Sequence, residues 1–232
     1  MTGWKLPQPS NDKIPGDGPY VDAPDRINFA PGTSIPRNFV YWGFPKRDAC
    51  TVSPPERPFS LRLLPSRHSI TGPGIPGESV DETAITFISR RQSHTYFTYS
   101  VDVSFGPKEE GEEVGVTVFL TQYQHIDLGI VLLPDSGKLV PHLRFQTTMM
   151  DDLNTQAPNV TVPETVVKAI PHSSSKTRAR LQIQAANDTQ YILSAAILGL
   201  DDFEFHQHAD AVLVSGGTGR FTGKLLSAQE PG

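Results

Sequence analysis

Apolar and polar residues alternate with a period of two along much of this chain, in runs too short for helices and bounded by Gly, Pro and polar clusters. Side chains repeat every second residue only in a strand, so the pattern predicts β structure. Residues 86–131 carry three strand-like runs rich in Val, Ile, Phe, Tyr and Thr, separated by the loop GPKEEGEE and one short polar turn, and read as a β-meander. In its third run Ile126, Leu128 and Ile130 fall on one face and His125 and Asp127 on the other, a core face and a wet face. KLVPHLRFQTTM repeats the arrangement, with Leu143 and Phe145 inward and His142, Arg144 and Gln146 outward. TRARLQIQAA alternates most cleanly, Ala179, Leu181 and Ile183 against Arg178, Arg180, Gln182 and Gln184.

Upstream, INFAPG, RNFVYWGFP and FSLRLLPS are short apolar runs with Pro and Gly between them, as sandwich strands are. Downstream, one weak strand is expected between Val162 and Ile170, and YILSAAILG reads as strand or a turn of helix. DAVLVSGGTGRFTGKLLSAQ reads as two strands joined across a turn at Gly216, Gly217 and Gly219. The total, roughly ten to thirteen strands with no secure helix and no fixed repeat, predicts an all-β fold of two antiparallel sheets packed face to face, with one concave solvated face. Residues 1–26, with Pro7, Pro9, Pro15, Pro19 and Pro24, form a proline-rich arm in which Trp4 is the large apolar group; residues 27–232 form one domain.

Composition narrows the function classes. A proline count of 21 in 232 residues exceeds the usual level of about 5% and fits a turn-rich fold. With 20 basic and 25 acidic residues the net charge is -5, which offers no basic field for nucleic acid or for anionic membranes. Cys50 is the single cysteine, so no intrachain disulfide and no cysteine-based zinc site can form. The N-terminal residues lack the apolar run of a secretory signal, which predicts a cytoplasmic chain, or a secreted one if it is cut from a larger enzyme. Asn159-Val160-Thr161 and Asn187-Asp188-Thr189 are glycosylation-type triplets that weigh toward secretion.

Few motifs carry chemistry. His206-Gln207-His208 with Asp210 has metal-tripod spacing but reads more simply as a solvated loop, as does the acidic run Glu109, Glu110, Glu112 and Glu113. No cofactor is expected: SGGTGR lacks the Lys-Ser or Lys-Thr of a phosphate loop, and no nucleophile elbow is present. The richer cluster is Arg90, Arg91, Gln92 and His94 with Tyr123, His125, Asp127 and Arg144 on neighbouring strands, and Trp42 in an early run. Guanidinium and amide groups form paired hydrogen bonds to hydroxyls, and aromatic rings stack on apolar ring faces, which is what a sugar or an oxygenated polycycle requires. A cross-strand salt-bridge ladder on the outer surface explains the same residues equally well. His125 and Asp127, two apart on one face, also have the spacing of an acid/base pair.

The blocks INFAPGTSIPRNFVYWGFP, FSLRLLPSRHSITG, FISRRQSHTYF, SVDVSFGPKEEGEEVGVTVFL, QHIDLGIVLLP and GRFTGKLL, in this order over residues 27–228, resemble the C-terminal concanavalin A-like domain of glycoside hydrolase family 43, the β-xylosidase and arabinofuranosidase family, its fungal members in particular. The arm WKLPQPSND is similar to the linker before that domain. The resemblance implies a jelly-roll sandwich that packs against a five-bladed catalytic propeller carrying three acidic residues. A chain of 232 residues has no room for the propeller, so none of the family's catalytic carboxylates is implied here. It also departs from the family pattern after Trp42, where Gly43 stands in place of the usual Arg.

Two functions are expected from these residues. The first is a stand-alone sandwich whose concave face binds a glycan-like or oxygenated small molecule through Trp42, Arg91, Gln92, His94, Tyr123 and Arg144, without glycosidase activity of its own. The second is a cofactor-independent cyclase, isomerase or lyase of secondary metabolism in which Asp127 and His125 are catalytic and Arg91 and Arg144 stabilise developing negative charge. Released from the propeller, the concave face is expected to expose aromatics, and a homodimer or a partner chain is a candidate cover for them.

Overall fold

The computed structural model describes residues 26–43, 45–46, 48–70, 85–149, 161–171, 176–200 and 203–215, together with the backbone of 225–229. The proline-rich arm with Trp4, the Gly/Pro segment after Ile70, the triplet at Asn159 and the glycines at 216, 217 and 219 lie outside the described residues. Thirteen strands are present among those described: β1 (Phe39–Val40), β2 (Cys50–Val52), β3 (Leu61–Leu63), β4 (Phe87–Arg91), β5 (Phe97–Phe105), β6 (Glu113–Thr121), β7 (Gln124–Asp135), β8 (Lys138–Met149), β9 (Val166–Ala169), β10 (Thr177–Ala185), β11 (Gln190–Ile197), β12 (Glu204–Asp210) and β13 (Leu225–Gln229). They form a seven-stranded sheet in the order β1-β4-β13-β6-β7-β8-β9, a four-stranded sheet β12-β11-β10-β5, and a small hairpin β2-β3. Every pairing is antiparallel.

The predicted two-sheet sandwich is therefore present, and parity explains its core. Val114, Val116, Val118, Ile126, Leu128, Ile130, Leu143 and Phe145 on the seven-stranded sheet meet Ala179, Leu181, Ile183, Tyr191, Leu193 and Phe205 on the other. Ile126, Leu128, Ile130, Leu143, Leu181 and Ile183 are wholly buried, on the faces the alternation assigned them. At about 25 cal/mol per Å² of apolar surface removed from water, each such side chain stabilises the fold by roughly 1.5–3 kcal/mol. Short turns fix the register. β7 and β8 are joined through Ser136 and Gly137, both at positive φ (50° and 82°), the two-residue geometry whose twist matches the flanking strands. Between β10 and β11, Asn187 Oδ1 accepts from the backbone N–H groups of Thr189 and Gln190 at 3.0 and 2.8 Å.

The observed strands differ from the predicted ones in three places. The run before the GPKEEGEE loop is two strands, β4 and β5, in different sheets: the polar stretch Gln92–Tyr96 lets the chain cross from one to the other. The C-terminal strand β13 enters between β4 and β6, so β4 is not next to the β6–β7 hairpin. DAVLV is not a strand: Ala211–Val214 is a 3-10 turn that buries Ala211, Leu213 and Val214 against the core. YILSAAILG is strand β11, its ambiguity resolved by pairing on both sides with β10 and β12.

Candidate functional site

Residues that point away from the inter-sheet core form the outer face of the seven-stranded sheet. Register places Glu113, Gly115, Thr117 and Phe119 of β6 beside Val131, Gly129, Asp127 and His125 of β7, and these beside His142, Arg144, Gln146 and Thr148 of β8. One half of this face is closed by the chain itself. Ile70 and Ile85 pack with Phe87 and Phe119 in a second small core, and Trp42 meets Phe119 edge-on with ring centroids 5.0 Å apart. Ser66 Oγ accepts from the Thr86 N–H, and Thr86 Oγ1 donates to the Leu64 carbonyl, tying the strap together. The expected exposed aromatics are thus reduced: Phe119 is buried and Trp42 is 38% exposed.

The other half holds a cleft of about 250 Å³. Gly115 and Gly129, directly opposite each other, lie at its floor, with Glu113, Asp127, Arg144 and Gln146 around them and Ser69 and Ile70 at its lip. Both glycines are required by close backbone approach. A Cβ on Gly115 would stand 2.6 Å from the Leu128 carbonyl oxygen, and one on Gly129 would stand 2.7 Å from Glu113 Oε1. The bare backbone of Gly129 is what lets the Glu113 side chain cross β7 and reach Arg144 on β8. That pair is two-pronged: Arg144 Nε donates to Oε1 at 3.3 Å and Nη2 donates to Oε2. Burial, with the nearby Asp127 carboxylate adding to it, raises the Glu113 pKa despite the pull of Arg144.

His125 and Asp127 form the second pair. His125 Nδ1 lies 2.7 Å from Asp127 Oδ2, a contact in which the Nδ1–H donates to the carboxylate. The ring stacks on Phe119, at 6.1 Å between centroids and 23° between planes, and is 1% exposed. His125 is therefore buried where a wet face was expected, because the Phe119 cluster covers it. His125 Nε2, Asp127 Oδ1 and Thr117 Oγ1 are all buried without a hydrogen-bond partner. Such groups cost about 1–3 kcal/mol each when left unsatisfied; Ser104 Oγ, Gln124 Nε2, Thr147 Oγ1 and Thr177 Oγ1 are unpartnered elsewhere, and the three on this face are distinguished by lying on adjacent paired positions of β6 and β7.

The structure brings His125, Asp127 and Arg144 into one cleft and sets Trp42 two ring contacts from it, through Phe119. The other candidates stand apart. Arg91 faces the same side by register, but β13 and β6 separate it from β7, three strand spacings or roughly 14 Å. Gln92 turns to the opposite sheet, where Tyr191 Oη donates to its Oε1 at 3.2 Å, while its Nε2 donates to the His94 carbonyl. His94 is exposed on the crossing loop, its ring 2.9 Å from Ser93 Oγ. Tyr123 is half-buried in the β6–β7 turn, its N–H donating to Thr121 Oγ1. Glu113 is a correction of another kind: it opens β6 and pairs with Arg144 instead of ending a solvated acidic loop. The signal was parity with Gly115, Thr117 and Phe119.

His206 and His208 lie on strand β12 rather than in a loop, and His206 pairs with Glu204 at 3.6 Å. Among the described residues no group of three His, Cys, Asp or Glu side chains could hold a metal ion. The opposite surface of the sandwich carries an exposed cross-strand ion pair: Arg180 donates to both Asp102 oxygens at 2.7 and 2.8 Å, and this contact holds the Asp102 carboxyl below its usual range.

Comparison with known proteins agrees with this architecture. The chain superposes on a Bacteroides ovatus protein described as xyloglucan PUL GH43B with a TM-score of 0.65 at 23% identity, covering 94% of this chain and 38% of that one. A xylan beta-1,4-xylosidase from Bacillus halodurans C-125 matches with a TM-score of 0.65 at 16% identity over 93% of this chain and 37% of its own. A GH43_12 protein retrieved from a capybara gut metagenome matches with a TM-score of 0.61 at 16% identity, over 85% and 33%. The chain thus spans little more than a third of these solved structures. No curated protein matches in sequence. The family described as "Beta xylosidase C-terminal Concanavalin A-like domain" matches residues 26–227, and the chain belongs to that family.

Proposed function

We propose that this domain binds a hydroxyl-bearing ligand, glycan-like or an oxygenated small molecule, in the cleft on the concave face of the seven-stranded sheet, and that it has no glycosidase activity of its own. The observation that carries the reading is the set of unpartnered, buried polar atoms, His125 Nε2, Asp127 Oδ1 and Thr117 Oγ1, on the face that also holds the only two-pronged Arg–carboxylate pair described there. Hydroxyls of a bound ligand supply the missing partners. At about 250 Å³ the cleft is at the small end of ligand sites and suits one ring or the end of a chain. Trp42, partly exposed beside Phe119, offers an apolar surface against which a neighbouring ring can stack.

The test is a titration of the isotopically labelled domain with short xylo- and arabino-oligosaccharides, followed by amide shifts, for the parent chain and for Asp127→Asn and Arg144→Ala. Shifts confined to β6, β7 and β8 that weaken at least tenfold in both variants are expected. Shifts that ignore both substitutions would place binding elsewhere. Release of the chromophore from aryl xylosides or arabinofuranosides by the purified domain would overturn the claim of no glycosidase activity.

A second reading, the cofactor-independent enzyme, is favoured by one feature: His125 has its Nδ1 anchored by Asp127 and its Nε2 unpartnered, the arrangement of a held base. Its Arg144 is committed to Glu113, which weakens the case for oxyanion stabilisation. Turnover of a ligand identified by binding, lost in His125→Gln while binding persists, decides for the enzyme.

A further inference from the structure

The charges around the cleft are unequally spoken for. Arg144 is the one cation among the described residues that line it, and two of its nitrogens are engaged by Glu113. Asp127 has one oxygen on His125 and the other unpartnered, and His125 Nε2 is unpartnered as well. With the imidazole neutral, the lining groups sum to one negative charge: Glu113 and Asp127 against Arg144. Asp127 Oδ1 can only accept, so the need it leaves is for a donor. An anionic ligand brings acceptors and negative charge to a site that already has both in excess, and like charges within a few ångströms repel more strongly there than in bulk water.

We propose that the cleft selects neutral, hydroxyl-rich ligands over acidic ones, and that Glu113 is the residue that sets this preference by neutralising Arg144. The proposal rests on the reading that the cleft binds a ligand, and goes further by naming its charge class and the residue responsible. Gly129 is part of the device, since the Glu113 carboxylate reaches Arg144 only over a position without a Cβ. Removing the Glu113 charge leaves a guanidinium with free donors in a partly dry site, which is the arrangement that captures carboxylates.

Matched sugars test this directly. Methyl β-D-glucoside and methyl β-D-galactoside differ from their uronide counterparts only in carrying a neutral C6 hydroxymethyl instead of a carboxylate. Affinities are read from amide shifts of Gly115, Asp127 and Gly129, with the protein's fold checked by the shifts of β10 and β11. The parent domain is expected to bind at least one neutral sugar ten times or more tightly than its uronide. In Glu113→Gln that ratio falls at least tenfold or inverts, and in Asp127→Asn it narrows while the neutral sugar itself binds less well. A parent domain that binds the uronide as tightly as its neutral partner at these residues overturns the charge preference and leaves the cleft standing as a binding site. Unchanged discrimination in a folded Glu113→Gln removes Glu113 as its source. If none of the four sugars moves the cleft amides while longer neutral oligosaccharides do, the same ratio is measured on xylobiose against its aldobiouronic acid counterpart; if those also fail, the binding reading itself falls.

Discussion

The two faces of strands β6, β7 and β8 are built from the same stretches of nine to twelve residues and obey opposite rules. On the inner face Val116, Val118, Ile126, Leu128, Ile130, Leu143 and Phe145 fill the space between sheets with no polar atom among them. On the outer face the next residues along, Gly115, Thr117, His125, Asp127, Gly129 and Arg144, leave a cleft and three polar atoms without partners. The inner face also has unpartnered polar atoms, Gln124 Nε2 and Thr147 Oγ1 at the ends of β7 and β8, but its centre is apolar, whereas on the outer face the polar groups sit at the centre. Packing that complete specifies the fold, whereas polar deficiency on a rigid sheet is tolerated only if it is small beside the apolar burial opposite. On the binding proposed above, the inner face is the stability half and the outer face the recognition half, and each can be altered separately.

The largest expected effect belongs to the inner face. Leu128→Ala opens a cavity in the centre of the sandwich and should cost about 2–5 kcal/mol, measured by urea unfolding. A loss under 1 kcal/mol would mean that the two sheets are not held by this cluster. The next effect crosses the comparison. Gly115→Ala is on the outer face, yet its Cβ would stand 2.6 Å from the Leu128 carbonyl oxygen and 2.9 Å from Gly129 Cα, backbone that cannot swing aside. Overpacking of this kind costs about 1–3 kcal/mol, and denaturant midpoints should show it. Tolerance of alanine there would show that the strand spacing has slack.

Thr117→Val sharpens the contrast because its sign is reversed. The hydroxyl is buried and unpartnered, so an isosteric methyl should leave the free domain unchanged or stabilise it by up to about 1 kcal/mol. Binding should weaken at the same time if the hydroxyl serves a ligand. A substitution that destabilises by more than 1 kcal/mol would place Thr117 in the stability half and shrink the recognition cluster to His125 and Asp127.

How much of this was legible in the sequence follows the same division. Core parity was, because burial writes itself as alternation: Ile126, Leu128, Ile130, Leu181 and Ile183 were assigned to the core and are there. The His125–Asp127 pairing was legible for the same reason, being local at two residues' distance. What escaped was long-range. Arg91 and Gln92 looked like neighbours of Asp127 because nothing local announces that β13, more than a hundred residues downstream, enters between β4 and β6. Glu113 was hidden among four acidic residues that differ only in whether they lie inside the strand. Its partner is 31 residues away and is reached over a glycine whose absent side chain leaves no mark in a hydropathy pattern.

The smallest expected effect separates the two surfaces of the whole sandwich by pH. Asp102, on the exposed outer sheet, has its pKa lowered by the Arg180 hydrogen bonds. The unfolded chain therefore binds its proton more readily, and the stability it contributes is present above the ordinary Asp value and lost as pH falls through the folded one. Glu113 is raised by burial, so the folded chain holds its proton more tightly, and its contribution is present below the ordinary Glu value and lost as pH rises through the folded one. The two carboxylates tilt the stability profile in opposite directions, one on the acid side of the carboxylate range and one on the neutral side. Unfolding midpoints taken across that range should lose the acid-side slope in Asp102→Asn and the neutral-side slope in Glu113→Gln. Because solvent screens Asp102 and Arg180, the first change should be slight and fade at high salt, and the second should persist. If both slopes respond equally to salt, Glu113 is not in a dry site, and the account of the cleft as a partly desolvated half of the sheet is wrong.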